Sequence, residues 1–263
     1  MKTYNEIIDY ITAAGKSKTE RNERALIIQG VLAGMFIAMG AIAYFRLVAY
    51  TADPGIGKFL GALIFPAGIM AILLVGAELF TSDCMGIMSV FRNRVKLGSF
   101  MRMLTIVLLS NLAGAVIMAL LSTGAGIFSE AMIEAVTGSA VAKTAMPISQ
   151  MLISAVLCNI IVCSGVMMAY SAKTVAGKLI AVWFPIAVFV LSGTEHIVAN
   201  MFYLVMGYIN GAEITIASIL VSFLVVTIGN FIGGALIVTG AHYFIEKDMN
   251  APEKKISDQG RAA

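Results

Sequence analysis

Apolar residues fill six stretches of the chain, at about 26–50, 58–80, 103–122, 147–170, 179–209 and 215–245, separated by short polar or basic connections. About 20 apolar residues in helix cross a hydrocarbon core, so the pattern predicts six spans. Two stretches are interrupted by polar groups. The fifth carries Gly193-Thr194-Glu195-His196-Ile197-Val198-Ala199-Asn200 in its interior, and the second runs through Gly76-Ala77-Glu78-Leu79-Phe80 into Thr81-Ser82-Asp83 before resuming at Met85-Gly86-Ile87-Met88. An ionisable group at that depth costs at least about 2.5–3.5 kcal/mol and usually faces a cavity, a partner or a translocation path. Backbone that leaves the helix there is tolerated only where protein or a water-lined cavity satisfies it. Both stretches therefore read as broken spans that carry function.

The two breaks resemble copies of each other. Gly76-Ala77-Glu78 is followed by Asn111-Leu112-Ala113-Gly114-Ala115, and Gly193-Thr194-Glu195 by Asn230-Phe231-Ile232-Gly233-Gly234, at similar separations. Three spans per half, an odd number, turn the second copy upside down, which predicts a 3+3 inverted repeat with its site at the midplane between the broken helices. Glu78 and Glu195, with Asn111 and Asn230, are expected to be structural at the helix breaks, satisfying backbone groups freed there. The small residues of spans three and six would let helices approach closely.

The basic residues set the orientation. With the amino terminus inside, the inner connections hold fifteen and the outer ones only Arg46, Lys58 and Lys143, so both termini are expected in the cytoplasm. Residues 1–25 form a polar segment without the apolar core of a cleavable signal, and Ile7, Ile8 and Ile11 on one face suit a short helix on the membrane surface. Residues 26–245 make the six-span transmembrane domain, and 246–263, with Pro252 and mixed charges, read as a disordered tail.

Composition agrees: 59% of the 263 residues are hydrophobic and 13% charged, against about 25% charged in a soluble domain. The fold class is an all-α membrane protein, with no room for a separate soluble enzymatic domain. A formal charge of +3 is too small to suggest nucleic acid. The three cysteines, Cys84, Cys158 and Cys163, form no C-x-x-C pair and read as small apolar fillers, with no metal site or cofactor. His242 receives no role, and Asp83 either lines the inner mouth or caps the next half-helix.

The strings Gly76-Ala77-Glu78-Leu79-Phe80-Thr81-Ser82, Cys158-Asn159, Tyr170-Ser171, Glu195-His196 through Ala199-Asn200-Met201-Phe202, and Thr227-Ile228-Gly229-Asn230 resemble the formate/nitrite transporter family over residues 16–245. The resemblance implies an aquaporin-like fold and a homopentamer in the lipid of the cytoplasmic (inner) membrane. It implies one pore per subunit for small monovalent weak-acid anions such as formate, nitrite or hydrosulfide. It also implies that His196 is the central pore histidine, Thr81 its gating partner and Asn159 a pore asparagine. Phe65, Ile69, Leu79 and Phe189 would build the hydrophobic constrictions, Ile69 departing from the leucine expected of the formate branch, and Lys16 and Lys143 would be the vestibule lysines. Phe80-Thr81-Ser82 looks most like the formate branch.

Such a pore has a physical logic. A dry constriction charges a bare anion its full desolvation energy and a neutral acid far less. Loss of solvation raises the anion's own pKa, and a histidine can donate a hydrogen bond or a proton to it. Two other readings remain. In one, Glu195 and His196 are the acid and base of an intramembrane enzyme, although neither H-E-x-x-H nor G-x-S-x-G occurs. In the other, buried acids serve a cation channel or proton relay. The expectation is a transport protein, not an enzyme.

Overall fold

The computed structural model describes residues 1–249, and among these the secondary structure is entirely helical. Helix α1 (Tyr4–Thr19) opens with a capping box between Thr3 and Glu6 and ends with Lys16 and Lys18, a charge order that suits the helix dipole. It buries Ile8, Ile11, Thr12 and Gly15 and runs well beyond the short surface helix expected at residues 4–13. A Cβ on Gly15 would lie 2.7 Å from the Gly86 carbonyl, so this helix rests directly on the backbone of the second apolar stretch where it resumes after its polar interruption.

Among the described residues five helices are long and apolar enough to cross a membrane: Glu23–Tyr50 (α2), the bent pair Pro54–Ile64 and Ala67–Val75 (α3 and α4), Leu97–Gly124 (α7), Ile148–Ser171 (α9) and Ile216–Met249. The last comprises α12 (Ile216–Phe231), a π-helical turn (Ile232–Val238) and α13 (Thr239–Met249). After α4 the chain makes short turns at Phe80–Asp83 (α5) and Met88–Phe91 (α6), joined by a 3-10 turn. The fifth apolar stretch is two short helices, Val175–Leu191 (α10) and Ile197–Ile209 (α11). At 1.5 Å per residue neither crosses a 30 Å core alone.

Glycine fixes where both broken stretches stop. Gly76 caps α4 at φ 76° and Gly193 follows α10 at φ 66°, left-handed conformations that a residue with a Cβ adopts only with strain. Close approach builds the rest. A Cβ on Gly34 would come within 2.1 Å of the Asn111 carbonyl, and one on Gly114 within 2.1 Å of that of Val31, so α2 and α7 touch backbone to backbone. In the second half, Gly233 meets the Val156 carbonyl at 2.3 Å on the same terms, drawing α12 and its π turn onto α9.

Two elements were not anticipated. The connection at 123–146 is not a plain loop but a 16-residue helix, α8 (Glu130–Ala145), capped by Ser129. The end of the chain is helical through Met249, so residues 246–249 of the expected tail belong to α13, and 250–263 lie outside the described residues.

Candidate functional site

The two breaks are held by matched asparagines. Asn111, fully buried on α7, accepts the Phe80 N–H through Oδ1 (3.0 Å) and donates through Nδ2 to the carbonyls of Glu78 (2.9 Å) and Gly30 (2.8 Å). Asn230, fully buried on α12, accepts the Ile197 N–H (2.8 Å) and donates to the carbonyls of Glu195 (2.9 Å) and Ala155 (2.7 Å). In each case one side chain satisfies the first orphan donor of a half-helix and the carbonyl two residues before it, groups that a helix broken in lipid would leave unpaired.

The carboxylates face cations. Glu78 takes Lys18 and Arg21 at 2.5 Å each, while Lys18 also reaches Asp83 at 2.6 Å. Glu195 takes Lys143 at 2.8 Å and the Asn200 amide at 2.6 Å. Burial opposes charge on Lys18, but Asp83 and Glu78 outweigh it and hold the ammonium above its ordinary pKa. Gln29 completes the first break by donating to the Gly76 carbonyl (2.7 Å), and Ser154 the second by accepting the Glu195 N–H (3.2 Å).

Between the breaks, His196 Nε2 lies 3.0 Å from Thr81 Oγ1, both residues being buried. His196 is the N-cap of α11: its Nδ1 accepts the Ala199 N–H at 3.2 Å. A neutral imidazole with Nδ1 as acceptor carries its proton on Nε2, so His196 donates to Thr81. The backbone, not Thr81, fixes the tautomer. The Thr81 hydroxyl proton has no acceptor among the described residues, which leaves it available to a guest. Phe189 stacks on the imidazole (5.4 Å, 28°) and meets Phe65 edge-on (5.7 Å, 87°).

Two chambers approach this pair from opposite ends. One, about 490 Å³, is lined by Lys58, Lys143, Phe189, Glu195, His196, Asn200 and Tyr203 among others. The other, about 520 Å³, is lined by Lys18, Arg21, Gln29, Ile72, Glu78 and Lys178 among others. Phe65, Ile69, Leu79 and Thr81 line neither and are buried.

The structure places some candidates elsewhere than expected. Lys16 faces outward, its side chain half exposed near Glu20 (3.8 Å), and lines neither chamber. The lysine at that mouth is Lys18, two residues on and therefore about 200° around the helix. Asn159 also lines neither chamber. Its Nδ2 donates to the carbonyls of Thr81 (3.2 Å) and Asn230 (2.6 Å), so it braces Thr81 from behind, and Cys163 Sγ donates to that Thr81 carbonyl (3.3 Å). Asp83 lies against α1 through Lys18. Arg21, Gln29 and Ser154 were missed, while Asn200, already part of the polar stretch at 193–200, finds its partner in Glu195. Lys18 had a readable signal, since it and Lys143 each stand five residues before the start of a long apolar helix, α2 at Glu23 and α9 at Ile148.

Comparison with known proteins bears on the whole chain. A family profile described as Formate/nitrite transporter matches residues 5–244. The uncharacterised transporter YrhG of Bacillus subtilis (strain 168) is 33% identical over 263 residues, 95% of this chain and 97% of its own length. Among solved structures, an FNT family ion channel superposes with a TM-score of 0.86 at 25% identity, covering 92% of this chain and 99% of its own. A pentameric formate channel with formate bound superposes with a TM-score of 0.76 at 25% identity, covering 86% and 98%. These proteins are transporters and channels, not enzymes.

Proposed function

This chain belongs to the formate/nitrite transporter family, and from that premise we propose that it is a homopentameric channel or proton-coupled transporter for small monovalent weak-acid anions, formate first among them. The observation that carries the reading is the His196–Thr81 contact, 3.0 Å long, buried between two chambers that open toward opposite ends of the bundle. The pentamer follows the assembly of the neighbour with formate bound. Apolar side chains such as Leu109, Leu120, Ile153, Leu157 and Leu224, half or more exposed on the single chain, suit lipid and neighbouring subunits.

We read six crossings in a 3+3 inverted repeat, spans two and five broken. The matched hydrogen bonds of Asn111 and Asn230 support that symmetry, and so does the matched placement of Lys18 and Lys143 against Glu78 and Glu195. With basic residues inside, the chamber under α1 faces the cytoplasm, together with both termini, and the chamber under α8 faces out. The membrane is the cytoplasmic one.

In this reading the anion reaches the barrier of Phe65, Ile69, Leu79 and Phe189, whose buried apolar side chains offer a bare charge no hydrogen bond and so disfavour it. Loss of solvation raises its pKa, and it takes a proton from the chamber water. The neutral acid then accepts from His196 Nε2–H and from the Thr81 hydroxyl, and sheds its proton on the far side. Giving up the Nε2 proton itself would leave an anionic imidazole in a dry site, so His196 serves as a hydrogen-bond donor. Flux then rises on acidification. Uptake of formate, nitrite, hydrosulfide, lactate and chloride into liposomes, each at two pH values, tests the assignment. Flux of one of the first three, fastest for formate and faster at the lower pH, is expected. Fastest flux of nitrite or hydrosulfide would move the chain to that branch, and flux of none of the three would refute the reading.

A further inference from the structure

The lysines that stand closest to the broken helices are not free to recruit an anion. On the α1 side, Lys18 and Arg21 are two positive charges set against Glu78 and Asp83, with Lys18–Glu78, Arg21–Glu78 and Lys18–Asp83 all within 2.6 Å. On the α8 side, Lys143 is matched by Glu195 at 2.8 Å. These clusters are balanced and serve to hold the breaks. Among the described residues, what remains in each chamber is one cation. Lys178 lines the α1-side chamber and Lys58 the α8-side chamber, and neither ammonium has a carboxylate oxygen within 4.0 Å among the described residues.

The two positions correspond. Lys58 is the fifth residue of α3 and Lys178 the fourth of α10, the helices that lead into the first and second breaks, so each lies near the opening turn of a broken span. Lys58 is exposed and Lys178 half-buried. Both therefore keep access to water while facing a chamber. A chamber whose other charges cancel takes its potential from the unmatched one, and low-dielectric walls focus that field.

We propose that Lys58 and Lys178, rather than the ion-paired Lys143 and Lys18, are the residues that concentrate small anions in the two chambers. The inference rests on the anion-transport reading above. One unit charge roughly 8 Å from the anion path in water changes the local anion concentration about two- to threefold. The effect should fade at about 1 M salt, where the screening length is about 3 Å.

Formate flux into liposomes, measured at low ionic strength and again with about 1 M of an impermeant salt, tests it on Lys58→Gln, Lys178→Gln and the charge-keeping Lys58→Arg and Lys178→Arg. The glutamine variants are expected to lose about two- to threefold in flux at low ionic strength and to converge on the unmodified protein at high salt, while the arginine variants match it throughout. Unchanged glutamine variants at low ionic strength would overturn the inference. So would a loss that arginine does not rescue, or one that persists at high salt. Normal flux in the unmodified protein leaves the transport reading standing in each of those outcomes. If the unmodified protein passes no weak-acid anion, that reading falls, and the inference with it.

Discussion

Replacing Asn111 by leucine removes the clamp on the first break with little change in volume. Three hydrogen bonds go at once. Gly30 sits inside α2, so its carbonyl keeps a helical partner, but the Phe80 N–H and the Glu78 carbonyl are left buried without one. An orphaned buried polar group costs about 1–3 kcal/mol, so two amount to about 2–6 kcal/mol. Hydrogen bonds within membranes average only about 0.6 kcal/mol because the unfolded chain also finds partners in lipid. The lower part of the range, about 2–4 kcal/mol, is therefore expected. At about 2 °C per kcal/mol for a chain of this length, the detergent-solubilised protein should melt about 4–8 °C lower. Asn230→Leu removes the equivalent bonds to Ile197, Glu195 and Ala155 and should lose a similar amount. The assay is thermal unfolding of both variants beside the unmodified protein. A change within about 0.5 kcal/mol, the size typical of surface substitutions away from special features, would refute the claim that these asparagines hold the breaks.

Three other outcomes follow from the same geometry. Phe189→Ala removes the ring that touches both Phe65 and His196, and should admit chloride while costing about 3–5 kcal/mol of stability; a variant that still excludes chloride would show the ring is not the barrier. Gly234→Ala places a Cβ 2.4 Å from Asn159 Nδ2 and 2.7 Å from Cys163 Sγ, and should push both off the Thr81 carbonyl, with lower formate flux and a loss of about 1–3 kcal/mol in thermal unfolding. Lys18→Met leaves Asp83 without a cation and should release α1 to trypsin. In the unmodified protein the folded Lys18 pKa is raised, so its own charge is complete below the unfolded value of about 10.4 and is lost only above the folded one.

Those features that are encoded locally were legible in the sequence. The polar groups inside two apolar stretches marked the breaks, where Gly76 and Gly193 take left-handed conformations, and the repeated spacing to Asn111 and Asn230 reflects one clamp built twice. What depends on which way a side chain turns was not. Lys16 and Lys18 differ by two residues and read alike, but the burial of Ile8, Ile11 and Gly15 rotates Lys18 toward Glu78 and Lys16 to the outside. Asn159 was expected in the pore, and its amide instead braces the Thr81 backbone, a contact made across 78 residues of chain. Helix α8 escaped notice because its alternation of alanines and polar residues has no apolar run, although Ser129 and Glu130 at its start are ordinary capping residues.

The most direct test of the central claim is formate flux through His196→Asn protein across pH 5–8. Asparagine is a good N-cap and can still accept the Ala199 N–H, so the fold should hold, while its Nδ2 donors sit on a side chain shorter than the imidazole and fall short of the place from which Nε2–H reaches Thr81 and the guest. The account predicts thermal unfolding lowered by no more than about 1–3 kcal/mol, the cost of leaving the Thr81 hydroxyl without its partner, flux lowered at least about tenfold, equivalent to about 1.4 kcal/mol, and a shallower rise on acidification. A variant whose flux equals that of the unmodified protein at every pH would contradict it.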